Sequence, residues 1–161
     1  MNQLYSFKGT LNSGYVGNII YNLHLDQDLT KLSILLIYDK EYITHIVNPD
    51  SSENNHKLSP DMEHGISKAY ERHYGKPADC HNMEELLNSM KTEIQLAAFI
   101  DGQFAGNIHM PGTEKEILIS HEEASFGCLP CERISGMLKI VINVFSVLED
   151  HTSYTLEICG E

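Results

Sequence analysis

The sequence predicts an α+β domain in which an antiparallel sheet packs against about three helices. Three observations predict it. Period-two apolar runs fill the first 48 residues. Capped segments with helical spacing follow between residues 59 and 90, and a broad apolar arc at helical spacing covers residues 132–149.

The strands come first. "QLYSFKGTL" is a β-prone run ended by "NSG". In "YVGNIIYNLHLD", Ile19, Tyr21, Leu23 and Leu25 share one face by alternation. "KLSILLIYD" is apolar on both faces, as a strand covered on both sides would be. "YITHIVN" is a fourth candidate, so residues 1–48 read as an antiparallel meander.

Helix signals follow the polar loop "NPDSSENNHK". Ser59 suits an N-cap, Pro60 the first helical position, and Asp61 and Glu63 the positive end of the dipole. Met62, Ile66, Ala69 and Tyr70 make one apolar stripe, which Gly75 and Pro77 stop. A shorter helix opens at Asn82 with Glu85 completing a capping box, and carries Leu86, Leu87 and Met90.

"TEIQLAAFIDGQFAGNIHM" has the form of a hairpin, with Asp101-Gly102 as its two-residue turn. "EKEILIS" adds a strand. Ser120 with Glu123 forms a second capping box, opening a short helical turn that Gly127 ends. Taken at 100° per residue, Met137, Leu138, Val141, Phe145 and Leu148 cluster with Ile134 on one helical face. Ile142 and Val144 widen that face, and Ile140 and Val147 lie toward the back; the β-branched run "LKIVINVFSV" leaves a strand as the alternative, which length and the Pro130/Glu132 start weigh against. A helix apolar on so wide an arc needs cover on two sides. A homodimer paired through Ile140 and Val147 would supply the second. "SYTLEICG" closes the chain as a strand.

Length favours a single domain over residues 1–161. The echo between "SGYVGNII" and "DGQFAGNIH" leaves two βββα-like halves, 1–75 and 92–161, open beside chance resemblance between hairpins. The formal net charge of −12, with no Lys/Arg stripe, argues against nucleic acid and against anionic membrane. The first residues lack a basic region followed by an apolar stretch, so a cytoplasmic protein with reduced thiols is expected.

One short stretch, "SFGCLPCERISG", suggests chemistry. Thiols at a helix start gain nucleophilicity from unpaired N–H groups and the dipole. Cys128-Leu129-Pro130-Cys131 resembles the active-site motif of thioredoxin-like proteins, in which a proline also precedes the second cysteine. The resemblance covers four residues. No βαβ pattern precedes it, no proline follows residue 130, and Glu132 puts a carboxylate beside the pair. For zinc, Cys128 and Cys131 supply half a site, which Cys80 with His81, Cys159 or His121 could complete. The plain alternative is two packing thiols.

Elsewhere the sequence has no HExxH, no GxSxG, and no phosphate-binding glycine loop. The expectation is a small binding or regulatory module acting through protein–protein contacts, without catalysis and without a cofactor. A thiol-redox or zinc protein using Cys128 and Cys131, and a small-molecule binder, are the alternatives.

Overall fold

Alternation with period two governs the folded chain. In the computed structural model, residues 1–42, 64, 67, 68, 70–72, 74–77 and 89–161 are described. The chain divides into two compact units: Met1–Glu41 with Thr92–Glu161, and Tyr42–Lys91.

The first unit is built from eight strands: β1 (Asn2–Leu11), β2 (Gly17–Leu29), β3 (Lys31–Tyr38), β4 (Glu93–Ile100), β5 (Gln103–Ile108), β6 (Glu114–Ser120), β7 (Ile134–Ser146) and β8 (Thr152–Gly160). They form two antiparallel sheets, ordered β1-β8-β3-β6 and β2-β7-β4-β5. Every connection but one crosses from sheet to sheet; only β4 and β5 are joined as a hairpin. That order is an eight-stranded jelly roll. Alternate residues of both sheets meet in one core, including Leu32, Ile34 and Leu36 of β3, Leu96 of β4, and Leu156 and Ile158 of β8.

The expected α+β class is therefore overturned: this unit is all-β. The decisive error is at residues 132–149. Residues 134–146 are β7, a strand in the interior of its sheet. Leu138, Ile140, Ile142 and Val144 point into the core by alternation, and Val141 on the opposite face is also nearly covered. A strand apolar on both faces mimics a wide helical arc, but its β-branched residues favour the pleat. Ile140 (0% exposed) and Val147 (4%) lie inside the core, so the helical face that motivated a dimer through them does not exist.

Two further corrections follow. β1, β2 and β3 were expected to pair as a meander, yet β1 pairs with β8, β2 with β7, and β3 with β6 and β8. The Ser120/Glu123 pair does not open a helix. The capping hydrogen bond forms, from Glu123 N–H to Ser120 Oγ at 2.9 Å, but the chain doubles back and bridges Ile119 to Ala124.

The Asp101-Gly102 turn forms with positive φ at both residues, 47° and 79°. It is pinned to a wrinkle in β7: Met137 N–H donates to Asp101 Oδ1 at 2.8 Å, and Asp101 N–H to the Met137 carbonyl at 2.8 Å. Gly136 sits there at φ 83°, with the Asp101 carboxylate where a Cβ would be.

In the second unit the described residues between 64 and 74 are helical, and Gly75 N–H donates to the Glu71 carbonyl at 2.8 Å. The helix ends at Gly75, which has φ 70°. The expected N-cap at Ser59, the capping box at Asn82 and Glu85, and the "YITHIVN" strand beyond Tyr42 lie outside the described residues. Among the described residues no helix is long and apolar enough to cross a membrane.

Aromatic side chains fill the side of the sandwich between β1 and β2. Tyr5 Oη donates to the His24 carbonyl at 2.7 Å, Phe7 packs on Tyr21, and the Tyr21 and Tyr154 hydroxyls are 2.9 Å apart. The Tyr154 ring occupies the space a side chain at Gly9 would need. Burial, then the Tyr21 hydrogen bond, holds the Tyr154 phenol well above its usual ionisation range. A phenol harder to ionise when folded adds stability below the unfolded value of about 10, and that contribution fades as pH rises past it. Urea unfolding between about pH 8 and 11 should show stability falling above about pH 10. Tyr154→Phe should flatten that fall.

Candidate functional site

The segment after β6 is a strap across the other side of the sandwich. Ser125 N–H donates to the Leu118 carbonyl at 2.8 Å, and Leu118 N–H to Ser125 Oγ at 3.0 Å. The chain then runs beside β5: Asn107 N–H donates to the Gly127 carbonyl at 2.9 Å, and Leu129 N–H to the Ala105 carbonyl at 2.8 Å. It returns to β6 where Cys131 N–H donates to the Ser120 carbonyl at 3.1 Å. One segment thus covers the β5 edge and stays tied to β6. An uncovered edge would present unpaired backbone groups to other chains.

Cys128 and Cys131 are the strap's fittings. Both thiols are free and partly buried. Cys128 fills the space that Gly106 leaves, since a Cβ at Gly106 would lie 2.5 Å from Cys128 Sγ. Ser125 Oγ donates to Cys128 Sγ at 3.4 Å, while Cys131 Sγ donates to the Arg133 carbonyl at 3.0 Å. The pair does not sit at a helix start, so the dipole argument for a reactive thiolate loses its basis. Cys159, on the outward side of β8, is also free, and Cys80 lies outside the described residues. Among the described residues no three His, Cys, Asp or Glu side chains are grouped to hold a metal ion.

A cleft of about 410 Å³ separates the strap from the β4–β5 turn. Cys131 lines it, with Asp101, Phe104 and Arg133; Cys128 does not. Two of its polar groups are engaged: Asp101 accepts from Met137 N–H, and Arg133 Nε donates to Ser135 Oγ at 2.7 Å, while Gln103 and Glu132 also line it.

Sequence reasoning missed Lys115. It is 2% exposed and alternates inward with Ile117 and Ile119. Its ammonium donates to the carbonyls of Met110 and Gly112 and lies 5.8 Å from the centre of the Tyr38 ring. Tyr38 Oη donates to the same Gly112 carbonyl at 2.9 Å. This lysine anchors the loop between β5 and β6.

The outer face of β2-β7-β4-β5 is a different kind of surface. Cross-strand register arranges it in three rows: Asn18–Asn143–Gln95, Ile20–Val141–Ala97–Asn107 and Asn22–Lys139–Phe99–Phe104. The amides of Asn18, Asn22, Asn107 and Asn143 have no hydrogen-bond partner among the described residues. Gln95 pairs with His109. Phe104 packs edge-on against Phe99, with centroids 5.8 Å apart, and Lys139 Nζ lies 5.6 Å above the Phe99 ring. Ile20, Phe104 and nearby Met137 are each about half exposed.

None of the three rows holds an acidic side chain, although the chain carries 23 Asp and Glu. Glu93 lies beyond the first row, 3.7 Å from His109. The outer face of the other sheet contrasts with this: Ser6–Glu157–Leu35–Glu116 and Lys8–Thr155–Ile37–Glu114 are ordinary charged rows. The β2 alternation already implied the outward set Asn18, Asn22 and His24. What lies beside them needed the register.

The strap geometry gives a direct test. Gly106→Ala should cost about 1–3 kcal/mol by overpacking and should speed labelling of Cys128 by a thiol reagent as the strap lifts. Cys128→Ala should cost about 1 kcal/mol or somewhat more and leave the fold intact. Denaturant unfolding and timed thiol labelling measure both.

A family model matches residues 1–160. No curated protein matches the chain, and no solved structure does. The match runs from β1 to the end of β8 and includes the inserted second unit. The chain therefore belongs to the family of unknown function DUF6669.

Proposed function

We propose that this protein is a binding module that works without catalysis and takes its partner on the outer face of β2-β7-β4-β5. The observation that carries this reading is the set of unpartnered amides beside the half-exposed Phe104 ring, on a face whose three rows hold no acid. Strand register sets these side chains at fixed backbone intervals, about 4.8 Å from strand to strand, so a ligand meets several of them at once. The protein–protein role expected from the sequence is one form of this reading. The thiol reading draws less support, because Cys128 and Cys131 each serve a packing contact in the strap.

Thermal-shift screening tests the reading. A panel of saccharides, peptides, nucleotides and small metabolites is run on the wild type and on Phe104→Ala/Lys139→Glu. A ligand at a hundredfold excess over Kd adds about 2.7 kcal/mol, or about 5–10 °C for a chain this long. Hits should stabilise the wild type and fail on the double variant. Hits that shift both proteins equally would place binding elsewhere and remove the proposal.

A further inference from the structure

We infer that the cleft between the strap and the β4–β5 turn binds a small zwitterion, a free amino acid or dipeptide with an apolar side chain. The cleft is a second site, and it does not rest on the outer-face reading. At about 410 Å³ it has the size of a small-molecule site. Asp101 lines it from the turn, and Glu132 and Arg133 line it where the strap runs into β7. A guanidinium beside two carboxylates ordinarily pairs with one of them. Among the described residues Arg133 makes no ion pair, and its side-chain hydrogen bond runs from Nε to Ser135 Oγ.

The fold holds both charges in place. Asp101 is fixed by its turn: Oδ1 accepts from Met137 N–H, and its own N–H donates to the Met137 carbonyl, each at 2.8 Å. Its Oδ2 accepts no hydrogen bond from a described residue. On the other side Ser135, which is buried, accepts from Arg133 Nε at 2.7 Å. That bond aims the guanidinium and leaves both Nη groups open, on a residue that is itself exposed. A carboxylate accepts from such a pair of N–H groups, and an ammonium donates to a carboxylate oxygen. Opposite charges held unpaired in one cleft complement a molecule that carries both.

The walls set the rest of the ligand. Phe104 on β5 and Leu129 on the strap both line the cleft, and they are 48% and 54% exposed. Their open surface gives an apolar side chain something to bury against. Charge disfavours simpler ions. An anion meets Asp101 and Glu132 inside the cleft and a net charge of −12 around it. A cation leaves the Arg133 guanidinium unmatched. A zwitterion has no net charge to be repelled and answers both signs.

The test is an NMR titration of the labelled full chain. The probes are leucine, phenylalanine and leucyl-leucine, with the N-acetyl form of each, which lacks the ammonium, and the amide of each, which lacks the carboxylate. At least one zwitterion should shift backbone resonances of residues 100–105 and 129–133 and leave those around Asn18 and Asn143 still. Its N-acetyl and amide forms should each bind about 10-fold more weakly, as expected for a lost charged hydrogen bond. Arg133→Gln and Asp101→Asn should each weaken the zwitterion by a similar factor. Asparagine keeps an acceptor for Met137 N–H and tolerates the positive φ of the turn. Ser135→Ala, which frees the guanidinium without removing a charge, should cost about 3-fold. Thr155→Ala on the opposite sheet should leave affinity unchanged. The spectrum of each variant reports its folding, and Arg133→Gln decides if Asp101→Asn unfolds. If an N-acetyl or amide form binds as tightly as its parent, one charge suffices and the zwitterion inference falls. If no probe shifts the cleft, it falls as well. The outer rows around Asn18 and Asn143 report separately, so neither result touches the outer-face reading.

Discussion

Two four-stranded sheets have four edges, and a sandwich holds together only if the sides between those edges are closed. This protein closes its two sides by different means. Between β1 and β2 it uses rings: Tyr5, Phe7, Tyr21 and Tyr154 span the gap, and Tyr5 reaches the carbonyl of His24 on the β2 edge. Between β5 and β6 it uses backbone, with residues 121–131 hydrogen-bonded to β6 and then to β5. The ring side buries apolar surface. The strap side satisfies backbone groups that would otherwise template another strand.

The CLPC motif takes on a different meaning from that constraint. A strap that must lie against β5 needs a close approach at one point, and Gly106 provides it. Cys128 is small enough to fill the space and polarisable enough to pack there. Gly127, with φ 81°, turns the chain into position. The spacing that resembles a redox motif is accounted for by a turn, a packing thiol and a return to Ser120.

Much of the fold was legible, and the losses have particular causes. Alternation located β2, an unbroken apolar run located β3, and the Asp-Gly pair located the β4–β5 turn, because these signals are local; the cover expected on both faces of β3 is present on one, and Ile37 on the other is 41% exposed. The pairings were not legible, since jelly-roll partners such as Asn2 and Gly160 are remote in sequence. β7 was read as helix because Ile142 and Val144, which face the core by alternation, also widen a helical stripe drawn through Met137, Leu138, Val141 and Phe145. Ser120 and Glu123 make the same hydrogen bond in a tight turn as at a helix start, so that sequence signal is degenerate. The candidate face was half legible. Asn18 and Asn22 follow from the alternation of β2, but Lys139 and Asn143 joined them only once β7 was a strand. Lys115 was readable from its alternation with Ile117 and Ile119, against the general preference of lysine for the surface.

The place of β8 has a consequence in time. It lies between β1 and β3 and pairs with both along nearly its whole length. Until residues 152–160 are available, β1 has no partner strand in its sheet and β3 has only β6. Such sequence-distant pairing slows folding, because loop entropy must be overcome before the contacts form. A growing chain must therefore hold β1 unpaired through the synthesis of everything between. Its alternating Tyr5 and Phe7 stay exposed to neighbouring chains over that interval. For this topology the vulnerable state is the nascent one, and β8 is the strand that ends it.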